Sequence, residues 1–507
     1  MSDRVLVDDA PLRLDDVVAI ARGAKVAIGP RAAARIAASR AVVDGLASGP
    51  DLVYGLNTGL GHNRNERLSP EAIGTGQAVT VRLHDGGIGP PLGTSIVRAA
   101  MAVRIAGIAR GGSGASPAIA ETYVAMLNGG IHPVVPTVGS IGASDLMHMA
   151  AIARAAMGEG EVDVGGRRLA AGDALASAGI EPVRPGPKDG LTLISANGVA
   201  IGHAALVVDR ARRLADAADL VAAISLETAR GNPSVVEPSV AAAKPIEGQR
   251  VAAARIRRYL EGSRLAIAGG GGSVQDPLSF RVAPQVHGAF REVVAFAARA
   301  VDDELAAMDD NPLVVVDEGR MVSNGNFHAM LLALAVDALR PAVAHLGQIS
   351  DRRAGQLWDR MASDSGGFSE ETWLLLVRHG SPLLRYAGAA RVAELRTLAG
   401  PATLDVPALD LGVEDHATNA PLAARRSEEA LALAEDVLAV ELLTATATLG
   451  ASAETRAEMA PRTGAAFDAV GRALAGMGPA PTAARVHGAA VELLRGGLVE
   501  AADGARA

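Results

Sequence analysis

The chain has no cysteine, which removes disulfides, thiolate metal sites and cysteine nucleophiles together and suits a reducing compartment. Aromatic residues make up only 2% of its 507 residues, so packing has to come from Ala, Leu and Val in close helix–helix contacts. Lysine is confined to Lys25, Lys188 and Lys244; the remaining basic residues are arginines, a bias from which no function follows. No basic stripe is present, because 56 acidic and 48 basic residues are scattered along the chain to a net charge of −8. Nucleic acid is therefore not an expected partner. The longest apolar run, Ala329 to Val336, is far shorter than the ~20 residues a membrane span needs. The acidic opening MSDRVLVDDAPLRLDD lacks the apolar core of a signal peptide. A soluble cytoplasmic protein, away from membranes, is the expectation.

What is present points to helix. The composition is 49% apolar and rich in Ala, the strongest helix former, and the length calls for two or three packed sub-regions. Up to about residue 200, short helical stretches alternate with loop signals such as NTGLGHN, HDGGIGPPLG and RGGSGASP. After Gly202 the texture changes. Ala204 to Arg230, Pro284 to Met308, Ala329 to Met361 and Glu428 to Leu449 carry apolar residues at spacings of three and four, which predicts long helices. The expected organisation is a loop-rich N-terminal region, 1–202, and a central long-helix bundle with a C-terminal helical region, 203–507. Breaks at Ala268–Pro277, Asp364–Gly367 and Pro401–Gly412 are candidate binding loops. The Gly269–Gly272 run is only superficially a phosphate loop, since no strand precedes it and no Gly-Lys-Ser/Thr follows. No histidine spacing suggests a metal. Neither a nucleotide nor a metal cofactor is expected.

Four separated stretches carry the functional signal: Tyr54–Gly61 (YGLNTGLG), Pro133–Leu146 (PVVPTVGSIGASDL), Val274–Gly288 (VQDPLSFRVAPQVHG) and Asp309–His328 (DDNPLVVVDEGRMVSNGNFH). Ile349–Arg353 (ISDRR) and Glu414–His416 (EDH) follow in order. Together they resemble the aromatic amino acid ammonia-lyase family, the histidine, phenylalanine and tyrosine ammonia-lyases and aminomutases, over residues from about 50 to about 450. The resemblance implies a mainly α fold of the fumarase/aspartase-like superfamily. It also implies a D₂ homotetramer in which each active site collects residues from three subunits. The implied reaction eliminates ammonia from histidine or an aromatic amino acid to give an α,β-unsaturated acid. A β-hydrogen is weakly acidic and ammonia is a poor leaving group, so the family builds an electron sink. An Ala-Ser-Gly tripeptide cyclises and loses water to a methylidene-imidazolone ring.

The matching run here is Ala143-Ser144-Asp145, and it departs from the family. Where the family has Gly-Ala-Ser-Gly-Asp-Leu, this chain has Gly142-Ala143-Ser144-Asp145-Leu146, one residue shorter, with Asp145 in the cyclising position. Glycine suits that compressed turn because it lacks a Cβ. Tyr54 matches a proton-transfer Tyr; a phenol with an ordinary pKa of ~10 needs desolvation or a nearby positive charge to act as a base near neutral pH. Asn57 and Thr58 are expected to fix its loop. Leu278 replaces a second family Tyr and cannot exchange a proton. Arg281 matches the guanidinium expected on the substrate carboxylate, and Gln275 matches a pocket Gln. Asn197 aligns with the ring-contacting Asn if Ser195 and Ala196 are an insertion. His84 and Glu414 fall where the substrate side chain is read, and Asn326 and Phe327, in GNFH, line the pocket, with Phe327 as its apolar wall. Three readings stay open: an ammonia-lyase, a 2,3-aminomutase, or a degenerate member that binds a ligand or serves a structural role.

Overall fold

Alanine sets the architecture. Small side chains let helices approach closely, and the helix Thr94–Ala109 (TSIVRAAMAVRIAGIA) is buried at nearly every position, with Ala99, Ala100, Met101, Ala102 and Ile105 fully so. Its Arg98 turns inward onto backbone carbonyls: Nε donates to the Ile20 carbonyl at 2.8 Å and a terminal nitrogen to that of Leu127 at 3.0 Å. Those carbonyls belong to the last turns of the helices Leu14–Ala21 and Pro117–Gly129, where backbone acceptors lack intrahelical donors and a cation is favoured.

The structure, a computed structural model, describes residues 4–267, 275–364, 379, 383–404, 406–450, 453–478 and 481–505. It is mainly α, as the composition predicts, and the strands among the described residues form small sheets of two or three strands. The predicted long helices run from Gly198–Thr228, Ala283–Ala306 and Ala420–Leu449. The fourth is divided into Met330–Asp337 and Leu339–Asp364. Pro341 accounts for the division, because it cannot donate to the carbonyl of Asp337 and its ring crowds that group. Asp189–Thr228 and Met330–Met361 are long and apolar enough to cross a membrane by composition alone. In the first of these, 94% of the apolar window is buried within the protein, the environment of a core helix.

The chain divides into two units that are not consecutive in sequence. The first comprises 1–209, 297–337 and 401–425; the second comprises 210–296, 338–400 and 426–507. The expected boundary at 202/203 lies inside the Gly198–Thr228 helix, and the expected bundle region is not one piece, since two of its segments return to the first unit. Helical periodicity marks where helices run but carries no information on which of them share a core. The second unit holds a buried ion pair, in which Arg353 clamps Glu441 at 2.5 and 3.0 Å, and a buried hydrogen bond between His287 Nδ1 and Asp219 Oδ1 at 2.8 Å. Of the breaks, residues 268–274 and 365–367 lie outside the described residues.

Candidate active site

The tripeptide forms a buried turn held from several directions. Gly142 has φ +83° and Ser144 φ +60°, both left-handed, which reverses the chain within three residues. A Cβ on Gly142 would stand 2.1 Å from Thr418 Oγ1, so the close approach as well as the dihedral requires glycine. Thr418 Oγ1 donates to the Gly142 carbonyl at 2.9 Å, and the Asn419 N–H to that of Ile141 at 2.8 Å. Ser140 Oγ accepts from the Gly142 N–H at 3.0 Å and lies 2.8 Å from Asp145 Oδ1.

Asp145 closes the turn and starts the next helix. It is fully buried and is the N-cap of Leu146–Ala156. Its N–H donates to the Ala196 carbonyl at 2.8 Å, and its Oδ2 accepts from the Ala200 N–H at 2.7 Å. The carboxylate therefore sits at the N-terminus of Gly198–Thr228, where free N–H groups and the helix dipole favour an anion. Burial nevertheless pushes its pKa up, against the opposing pull of His148 and these donors.

The Asp145 contacts lead to Asn197. That side chain is fully buried; its Nδ2 donates to the Phe327 carbonyl at 2.7 Å, while its Oδ1 has no hydrogen-bond partner. A buried acceptor left unpaired among the described residues is one that a ligand donor would satisfy. Below Asn197, Asp309 is pushed up to about 6 by burial and by Asp310, with Arg104 and the Asn197 N–H opposing. Arg104 itself pairs with Asp310 at 2.9 and 3.1 Å in full burial.

Tyr54, Glu414 and His84 form a second cluster in the same unit. Asn57 and Thr58 do fix the Tyr54 loop: Asn57 Oδ1 accepts from the Val53 N–H at 2.8 Å, and Thr58 Oγ1 donates to the Gly59 carbonyl at 2.9 Å. Burial pushes the Tyr54 phenol up, the Gly61 N–H pulls it down, and the carboxylates of Glu414 and Asp410 push it up again. Desolvation thus acts against a phenolate here, because it penalises the charged form. Glu414 is also raised, first by burial and then by Asp410, with His84 opposing. His84 Nδ1 lies 2.7 Å from the Thr80 carbonyl; a carbonyl only accepts, so Nδ1 carries a hydrogen.

Tyr54, His84, Ala143, Ser144, Asp145, Asn197, Asn326, Phe327 and Glu414 all belong to the first unit. Asp145 is bonded to Ala196 and Ala200 on either side of Asn197, Asn197 to Phe327, and the segment after Glu414 to the turn through Thr418 and Asn419. Asn326 is exposed, with its Nδ2 3.4 Å from the Met308 carbonyl. Gln275 and Arg281 belong to the second unit, Arg281 ending the one-turn helix Leu278–Arg281. Sequence reading assigned no role to Ser140, Thr418, Asp309, Asp410 and His62, although Ser140 and Asp309 lie within quoted motifs, His62 in the NTGLGHN loop signal and Asp410 in the Pro401–Gly412 break.

The family model for aromatic amino acid lyase matches residues 12–472. The chain belongs to the aromatic amino acid lyase family. It is similar to a histidine ammonia-lyase of Gloeobacter violaceus, 39% identical over 451 residues that cover 88% of this chain and 87% of that protein. Among solved structures, it resembles the tyrosine aminomutase of Streptomyces globisporus with a TM-score of 0.89 at 29% identity, covering 98% of both chains. It also resembles the ergothioneine-degrading ergothionase of Treponema denticola, solved in complex with desmethyl-ergothioneine sulfonic acid, with a TM-score of 0.88 at 27% identity, covering 97% and 98%. Family membership makes it a carbon–nitrogen lyase of the ammonia-lyase type. The lyase family uses a self-formed methylidene-imidazolone and no metal. The residues here fit that group in two respects: Ser144 is left-handed, which compresses the turn between Ala143 and Asp145, and the Asn197 acceptor, unpartnered among the described residues, lies one residue from the Ala196 carbonyl that holds the Asp145 N–H.

Proposed function

We propose that this lyase eliminates ammonia from histidine or an aromatic amino acid, giving the α,β-unsaturated acid, with a methylidene-imidazolone built from Ala143, Ser144 and Asp145. The observation that carries the reading is the buried left-handed turn at Ser144 beside the orphaned Asn197 Oδ1. The ring, once formed, supplies the electron sink that no side chain offers. Tyr54 holds its proton at rest, since burial and two carboxylates raise it, and a substrate cation beside it would lower it toward proton transfer. Glu414 and His84 suit an imidazole side chain, one as an acceptor of its N–H and the other through Nε2. Phe327 supplies the apolar wall and Asn326 the rim. Gln275 and Arg281 hold the substrate carboxylate, arriving from neighbouring subunits of a cytoplasmic homotetramer. Leu278, exposed by 61% on a single chain, leaves proton transfer to Tyr54.

A second reading rests on Asp145. Every polar group of this residue is engaged, by Ser140, Ala196, Ala200 and Met149, and one chain of the same fold degrades ergothioneine, a histidine-derived betaine. In such a substrate the nitrogen is quaternary. The Cα–N bond can break with its electron pair leaving as trimethylamine while the β-proton passes to a base, and no electron sink is required.

One experiment separates these readings: incubation of the full chain with each common amino acid and with histidine trimethylbetaine, assaying ammonia, trimethylamine and ultraviolet absorbance, alongside intact mass. Ammonia release by a chain lighter by two waters supports the first reading. Trimethylamine release at unmodified mass supports the second. A β-amino acid product identifies an aminomutase, and no turnover at unmodified mass identifies a ligand-binding member.

A further inference from the structure

The loop that carries Glu414 is fastened to the loop that carries Tyr54 by His62 and Asp410, to which the sequence reading assigned no role. Its ends are closed by backbone bonds, Leu409 N–H to the Glu414 carbonyl at 2.8 Å and Glu414 N–H to the Leu409 carbonyl at 3.2 Å. Between them Asp410, Leu411 and Gly412 have φ of +47°, +55° and +84° in succession. Two consecutive non-glycine residues in the left-handed region persist only where their surroundings over-determine them. Leu411 is 88% exposed and contributes little to that, so the constraint has to come through Asp410.

Asp410 is held at both oxygens. Oδ2 accepts from the His62 N–H at 3.0 Å, and Oδ1 meets His62 Nδ1 at 2.6 Å. A carboxylate only accepts, so Nδ1 donates. Gly61, with φ +55°, lies under this clamp: a Cβ there would stand 2.0 Å from Asp410 Oδ2. The same Gly61 presents its N–H to the Tyr54 oxygen, and the Asp410 charge reaches both Tyr54 and Glu414. Residues 54 to 62 and 410 to 414 therefore behave as one hydrogen-bonded assembly.

We infer that His62 and Asp410 form a latch whose role is to hold Tyr54 and Glu414 at a fixed separation across the substrate, which makes them positioning residues for the elimination. The inference rests on the proposed reading of Tyr54 and Glu414 as substrate-facing groups. Neither latch residue touches the reacting atoms. His62 is exposed, so its removal leaves no cavity, and its bonds are the contribution it makes.

The test is a double-mutant cycle on the full-length chain with His62→Ala, Asp410→Asn and both together. Hydrogen–deuterium exchange of peptides spanning 56–66 and 406–416 needs no substrate. Exchange in both peptides is expected to rise in each single variant and no further in the double. With the substrate found above, kcat/KM is expected to fall about tenfold in either single variant, a typical coupling for residues sharing one network, and no further in the double. His62→Asn, whose amide can still donate to Asp410, should recover most of the loss. Independent, multiplicative effects of the two substitutions, or exchange that rises in only one loop, would overturn the latch. If no substrate is found, the exchange cycle still decides the latch, so its failure is distinguishable from failure of the proposed function.

Discussion

Ser144 and Asp309 test the site at the scale of single residues. Ser144→Ala removes the hydroxyl that would leave as water, so no exocyclic methylene can form. Ammonia-lyase activity is expected to vanish while helical circular dichroism and assembly persist, because the surrounding helices pack without the ring; retained ammonia release would rule out ring-based catalysis. Asp309 and Glu304 are raised to about 6 and about 7, mainly by burial. A raised carboxyl is protonated in both states at low pH. Once pH passes the unfolded value, ionisation favours the unfolded chain, and the stability lost grows until pH passes the folded value. Asp309 therefore costs stability progressively between pH ~4 and 6, by on the order of 3 kcal/mol at full extent. Asp309→Asn should gain stability relative to wild type as pH rises from 4.5 to 8, read from urea midpoints; an equal difference at all pH values would count against it.

At the scale of elements, the turn 141–145 joins two helices that need each other's ends. Asp145 is the N-cap residue of Leu146–Ala156 and its Oδ2 receives the Ala200 N–H of Gly198–Thr228, while its nitrogen is the one that ring closure needs. Inserting a glycine between Ser144 and Asp145 would divide these roles, leaving the aspartate to cap and the glycine to cyclise. The expected outcome is a higher fraction of chain lighter by two waters; an unchanged mass distribution would show that Asp145 does not limit ring closure. Gly142→Ala places a Cβ against Thr418 in a left-handed conformation and should destabilise by roughly 2 kcal/mol, measurable as a lowered denaturant midpoint. The turn was readable from GSIGAS because its residue types constrain the local backbone. The tethers from Thr418 and Asn419 were not readable, since nothing local to a threonine states which carbonyl, more than 270 positions away, it will meet.

At the scale of the whole molecule, single-chain exposure of large apolar groups calls for a partner surface. On the short helix Met330–Asp337, Leu331 and Leu334 are 51% and 47% exposed, and the proposed homotetramer would cover them. Light scattering should then report four times the chain mass. Leu331→Glu with Leu334→Glu should yield smaller species that have lost activity, because Gln275 and Arg281 could no longer reach a neighbour's Asn197 and Tyr54. A smaller species with full activity would exclude shared sites.

The sequence by itself determined the helical class, the family and the residue types of the site, because periodicity, composition and motif order are properties of a linear string. It also determined that the run Gly142-Ala143-Ser144-Asp145-Leu146 is one residue shorter than the family pattern, with no glycine after Ser144. Only the tertiary structure decided that segments 297–337 and 401–425 return to the N-terminal unit, that Asp145 starts one helix and receives the Ala200 N–H of another, and that His62 fastens Asp410. Those outcomes depend on which distant donors and acceptors are left unpaired once helices pack, and the cost of burying an unpaired polar group settles them in three dimensions.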